Sequence, residues 1–344
     1  MTAKKKSIVC VVLSALLLPL GAQQRQTLKI ATIAPSRSAW DVSQRRLAQD
    51  WATASGNTIT MQFMSANAMG GESGVIQKLN AVRPGQKAPI DGAIFTSIGI
   101  AELAPETQIM TLAVPFLFRN QEEVDIVLDA FTGRLQAAIT AKGYVILGWF
   151  NVGWAYFYTK RPAHTIAELK QQRMSVSGLG LPGLTNAFKA AGFQTHGVAA
   201  DKLLQSTRTP GGVEAIYTIP MYGYAGQFYK SLPYILDVPI CPVMAAFVIS
   251  EASWNAIPDA YKPALLAAMR AAEADFIAAQ RSSDSEYLQR CVDGGSTLVK
   301  PNAAELRLMQ ETLERDAVAM IQTGIMDQAF YDDIRAVLKR HRGE

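Results

Sequence analysis

From residue 27 onward, short apolar runs of strand character alternate with longer segments in which apolar residues recur every three or four positions. The run TLKIATIAP predicts a strand ending in a proline turn. SAWDVSQRRLAQDWATAS places Trp40, Val42, Leu47 and Trp51 near helical spacing, with serines available to cap its start. GNTITMQFMSANAMGG opens at a turn and alternates Ile59, Met61 and Phe63, the period of a strand. GESGVIQKLNAV predicts a short helix, APIDGAIFTS another strand, and VPFLFRNQEEVDIVLDAFTGRLQAAITAKG a turn followed by a helix. GYVILGWFNVGWAYFYTK is apolar, aromatic and β-branched, and too long for one ordinary strand. It predicts a strand that continues from one domain into another.

Further on, TIAELKQQ, RMSVS, LPGLTNAFKAAG and FQTHGVAA read as helix, strand, helix, strand. That alternation argues α/β layers with parallel strands. After CPVMAAFVIS the pattern changes. From Pro258 to about Gly294 strand signals are scarce, and Leu265, Met269, Ala272, Phe276 and Ala279 recur at helical spacing. At 1.5 Å per residue, a helix of about 30 residues spans about 45 Å, enough to cross two domains. AAELRLMQETLERDAVAMIQTG and DQAFYDDIRAVLKRH predict two closing helices. No repeat or low-complexity linker is present, so a two-domain chain is expected to cross between its domains more than once.

The first residues bear on the compartment. MTAKKKSIVCVVLSALLLPLGAQQ joins three lysines to an apolar run from Ile8 to about Ala22, the form of a secretory signal peptide over residues 1–22. Cys10 lacks the small residues of a lipid attachment site just before it, and an uncleaved anchor is the other reading. Removing Lys4, Lys5 and Lys6 takes the net charge from +4 to +1, so the basic balance points to no nucleic acid. The remaining chain, about 320 residues, is long enough for two domains. Cys241 and Cys291 could pair in an oxidising compartment, but one pair is no disulfide framework, and two buried thiols are expected.

His164, His196 and His341 fall in no metal-binding pattern, and neither a nucleophile elbow nor a phosphate loop occurs. No catalytic residue, metal or cofactor is expected. Gly178, Gly180 and Gly183 form G-x-G-x-x-G between a strand pattern and a helical one, the context of a dinucleotide fingerprint. Its mid-chain place, Pro182 within it, and Asp201 opening a helix rather than ending a strand all weigh against that use. A close approach of backbone to a ligand or a neighbouring domain fits better.

The order of motifs resembles the solute-binding subunit of tripartite ATP-independent periplasmic (TRAP) transporters over nearly the whole mature chain. LAVPFLFRNQEEV is similar to the family's P-F-L-F-R segment, and NAMGGESGVIQKLNA resembles its glycine turn before an acidic-led helix. GWFNVGWAYFYTKRPAHTIAELKQQRMSVSG follows its G-F-R, R-P, D-L-K-G and I-R-V-P series. LLQSTRTPGGVEAIYTIPMYGYAGQFYKSLPYI follows its E-N-P region. The resemblance implies a two-domain α/β binding-protein fold with crossing strands, a long hinge-spanning helix and a ligand between the domains. It implies domain I over 27–152 and 244–283, and domain II over 153–243 and 284–344.

In that family an arginine holds a ligand carboxylate through two parallel hydrogen bonds. Here the I-R-V-P arginine falls on Ser175 and the G-F-R arginine on Ala155. The E-N-P asparagine falls on Thr218 and its glutamate on Tyr217, and a polar first-domain position falls on Thr96. Arg173 would share the Ser175 face of a strand but sit about 7 Å along it. The resemblance thus implies a cleft of Trp40, Thr96, Trp154, Ala155, Ser175, Ser177, Leu179, Tyr217, Thr218, Met221 and Tyr222 without fixed positive charge. An unpaired carboxylate is costly to bury there. The expected ligand is apolar or amphipathic, delivered to TRAP membrane subunits, with a periplasmic tetratricopeptide-repeat protein as a further partner. Two rivals stay open: an exported nucleotide-cofactor oxidoreductase using GLGLPG, and a ligand-free interaction module.

Overall fold

The computed structural model describes residues 25–81, 86–176 and 182–344. Ten strands form among them: β1 (Gln26–Thr32), β2 (Ile59–Ser65), β3 (Gly92–Thr96), β4 (Tyr144–Trp154), β5 (Tyr156–Thr159), β6 (Met174–Ser175), β7 (Ala215–Thr218), β8 (Tyr234–Leu236), β9 (Pro242–Ser250) and β10 (Thr297–Val299). They make two five-stranded sheets, ordered β2-β1-β3-β9-β4 and β10-β8-β5-β7-β6. Both sheets are mixed rather than all parallel. In the first, β1 runs parallel to β2 and β3, and β9 is antiparallel to β3 and β4. In the second, β5 is antiparallel to β7 and β8, whose outer neighbours β6 and β10 are parallel to them. The result is a two-sheet α/β fold.

Local sequence accounts for the main elements. The inner strand β9 reads PVMAAFVIS, and every residue from Met244 to Ile249 is buried, as a strand with neither face on water requires. Helix Ala39–Ala54 starts where the Ser38 side chain accepts from the Asp41 N–H. The expected strand in FQTHGVAA does not form. Thr195 makes only an isolated bridge with Met174, and the chain moves on to helix Ala200–Arg208.

The long aromatic run does pass from one sheet to the other. β4 ends at Trp154, Ala155 stands between, and β5 begins at Tyr156 in the second sheet. A second passage runs back through Ile240 and Cys241 into β9. The two passages are bonded to each other: Ala155 N–H donates to the Cys241 carbonyl at 2.9 Å, and Ile240 N–H donates to the Ala155 carbonyl at 3.0 Å. Helix Lys262–Asp293, 32 residues long, packs on helix Ala39–Ala54, on β4 and on helix Pro220–Ala225. Its Leu265, Met269 and Phe276 join the main core, while Leu288 and Cys291 join the cluster around Tyr158 and Ile235 in the second sheet. Cys241 and Cys291 are both buried free thiols. The expected signal peptide at 1–22 lies outside the described residues.

Candidate functional site

A cavity of about 840 Å³, the open solvent at its mouth included, lies between the two sheets beside the paired passages. β1 leads into it through Ile33 and Pro35, and β3 ends on it with Thr96 and Ser97. Such placement, beyond the carboxyl ends of strands, is where ligands sit in open α/β sheets. Trp40 reaches it from the first turn of helix Ala39–Ala54. From the other side come Tyr217 and Thr218 at the end of β7, and Met221 and Tyr222 from helix Pro220–Ala225. Ala155, Cys241, Pro242 and Val243 line it from the passages themselves.

Of the residues singled out from sequence, Trp40, Thr96, Ala155, Tyr217, Thr218, Met221 and Tyr222 are brought together here. Trp154 is not among the lining residues. It lines a separate groove with Tyr156 and Asp284, because successive side chains of an extended run point to opposite sides. Ser175 is also absent from the lining; its neighbour Val176 is present instead, the one-residue parity that pattern alone leaves ambiguous. Ser175 is buried, and its hydroxyl has no partner among the described residues. Ser177 and Leu179 lie outside the described residues. Sequence reasoning missed Met110, Ala113, Leu184, Phe188, Ile219 and Val243. Leu184 and Phe188 carried a signal, standing four apart on one face of helix Pro182–Ala190.

The cavity's polar groups are largely committed. Thr96 donates through both its N–H (2.6 Å) and its hydroxyl (2.7 Å) to the Glu72 carboxylate, which also takes the Gly99 N–H at 3.2 Å. Burial pushes the Glu72 pKa up to about 7 against those hydrogen bonds. The Ser97 hydroxyl donates to the Met244 carbonyl at 3.1 Å and accepts from the Met244 N–H at 3.1 Å. Tyr217 and Cys241 place hydroxyl and thiol 2.9 Å apart, and burial pushes the thiol up to about 12 and the phenol well above its ordinary range. Thr218 and Tyr222 keep uncommitted hydroxyls among the described residues. No lysine, arginine or histidine lines the cavity there. Arg173 is turned elsewhere: its Nε donates to the Gly212 carbonyl at 2.9 Å, and it pairs with Glu214 at 3.3 Å.

The glycine stretch has a packing explanation where it is described. A Cβ on Gly183 would lie 2.8 Å from the Ile325 side chain, so this glycine serves close approach of helix Pro182–Ala190 to the C-terminal region. Gly178 and Gly180 lie outside the described residues. Among the described residues, no group of three His, Cys, Asp or Glu side chains could hold a metal, and no helix is long and apolar enough to cross a membrane.

The chain is similar in structure to the sugar-acid-binding protein of Advenella mimigardefordensis in complex with galactonate. The TM-score is 0.80 at 15% identity, covering 92% of this chain and 99% of that one. It is also similar to a TRAP periplasmic solute-binding protein of Sulfurospirillum deleyianum with bound succinate (TM-score 0.77, 16% identity, 91% and 99% covered). A third likeness is to one of Roseobacter denitrificans with bound β-D-glucuronate (TM-score 0.77, 18% identity, 90% and 99% covered). A search of curated proteins gives no significant match. The model of bacterial extracellular solute-binding protein family 7, DctP, matches residues 30–323. The chain therefore belongs to bacterial extracellular solute-binding protein family 7, DctP.

Proposed function

We propose that this receptor captures an apolar or amphipathic solute, not a small carboxylate, and delivers it to the membrane subunits of a TRAP transporter. The observation that carries the reading is the cavity wall. It is apolar nearly throughout, holds no cation among the described residues, and has spent the hydroxyls of Thr96, Ser97 and Tyr217 on the protein itself. The similar structures hold galactonate, succinate and glucuronate, all acids. A carboxylate here would meet no opposite charge, and the buried Glu72 carboxylate directly behind Thr96 would oppose it. Thr218 and Tyr222 supply two hydrogen-bonding groups for a weakly polar head.

Export by a cleavable segment at residues 1–22 and a periplasmic location belong to this reading. So do closure of two domains, 27–152 with 244–283 and 153–243 with 284–344, about the paired passages, and cooperation with a tetratricopeptide-repeat protein. Organic extraction of the purified protein followed by mass spectrometry tests it. A lipid-like or weakly charged molecule is expected, with no calorimetric heat from succinate, galactonate or glucuronate. Micromolar binding of any of these acids overturns it.

A further inference from the structure

Behind Trp40 lies a second chamber, of about 340 Å³ with its mouth included. Trp40 is a wall of both spaces. The chamber runs under helix Ala39–Ala54 to the long helix, where Met269 and Phe276 close it, with Phe150 of β4 beside them. Its walls are apolar except for Ser43 and Gln44. Gln44 is one helical turn below Trp40 on the same face. It is 4% exposed, and its Oε1 has no hydrogen-bond partner among the described residues.

The orientation of that amide is fixed by its neighbour. Gln44 Nε2 donates to Asp41 Oδ1 at 3.0 Å. Asp41 also accepts from Arg37 N–H and from Arg45 Nε, which makes it a committed acceptor that could not face an amide oxygen. The Gln44 oxygen is therefore the free end, an acceptor set in an apolar wall. A buried acceptor left unmatched is costly, whereas one matched by a ligand donor confers selectivity for that donor.

We propose that this chamber is a second ligand subsite, taking the far end of an elongated apolar ligand that carries a hydroxyl or similar donor, which Gln44 Oε1 accepts, with Trp40 as the partition the chain passes. The proposal rests on the reading of the main cavity as an apolar-ligand site. Neutral probes separate the two. Binding of hexanol, dodecanol and the α,ω-diol of dodecane to the purified protein is measured through displacement of a fluorescent apolar dye. For the wild type we expect dodecanediol to bind about tenfold tighter than dodecanol, the worth of one matched hydrogen bond. Gln44→Leu should abolish that preference and leave dodecanol binding intact. Ala272→Phe, which fills the chamber from the long helix, should weaken both twelve-carbon probes and spare hexanol, whose retained binding also reports a folded cleft. Diol preference and chain-length dependence unchanged in both variants would overturn the subsite and leave the main cavity's reading standing. Failure of all three probes to bind the wild type would overturn both.

Discussion

Gly153 and Asp284 meet at one point of the passage between the sheets. A methyl group on Gly153 would lie 2.7 Å from Asp284 Oδ1, while the other carboxylate oxygen accepts the Trp154 N–H at 2.7 Å. Gly153 has φ +137°, and its own N–H donates to Asn151 Oδ1 at 3.0 Å. The long helix is thereby fastened to the crossing strand where that strand leaves the first sheet. Gly153→Ala meets both a conformational and a steric objection. We expect a loss of about 1–3 kcal/mol, read from urea unfolding, the usual cost of such backbone strain. A variant as stable as wild type would show that the fastening is slack.

The same carboxylate gives the protein a pH signature. Burial raises the Asp284 pKa from 3.8 to about 7, and that of Glu72 from 4.5 to about 7. Between the ordinary and the raised values the folded state holds more protons than the unfolded chain, so stability falls as pH rises from about 4 to about 7 and then levels. Asp41, Glu123 and Glu214, whose pKa values are lowered, act only at more acid pH, where protonation removes their contribution. Asp284→Asn keeps an acceptor for Trp154 without the charge. It should raise the melting temperature at pH 8 more than at pH 5; an equal shift at both would refute the assignment.

Arg173 stands two residues before Ser175 in sequence, yet it is bound to Gly212 and Glu214. Arg173→Ala should change ligand capture less than about twofold. It should cost at most about 1 kcal/mol of stability, as a partly exposed pair does. By contrast, Thr218→Val with Tyr222→Phe removes both uncommitted hydroxyls. That double variant should weaken an amphipathic ligand about tenfold without unfolding the protein. Calorimetry on the extracted and reloaded protein compares them, and the reverse ranking would return Arg173 to the site.

Both thiols are buried, and burial pushes Cys241 up to about 12 and Cys291 up to about 11. Native protein lacking residues 1–22 should therefore react negligibly with a disulfide reagent at pH 8 and yield two thiols once denatured without reductant. None on denaturation would mean that the two had paired.

The sequence announced the crossing strand, the long helix and the strand–helix alternation, because each is a long run whose period survives tertiary context. It overstated FQTHGVAA, where a bridge between Thr195 and Met174 is all the pairing that forms. Its parallel strands are there, β1 beside β2 and β3 and β6 beside β7, but alternation of elements does not reveal that β9 inserts between β3 and β4 in the opposite sense. Of the positions the resemblance named, Ala155 and Tyr217 are among those that also face the cavity. Parity in an extended segment is invisible to alignment, which is why Trp154 was named beside Ala155, and Ser175 without Val176, although only Ala155 and Val176 of these line the cavity. The chamber behind Trp40 left no sequence signal, since its walls come from five separate elements.

If the two domains close about the bonded passages as proposed, Ala155 and Cys241 are at once the axle of that motion and part of the cavity wall. In a receptor that closes about that axle, a guest resting there sits where leverage is smallest, so its thickness rather than its grip sets how far the jaws come together. Such a protein works as a caliper: the gap it reports to its docking partner measures the girth of what it carries.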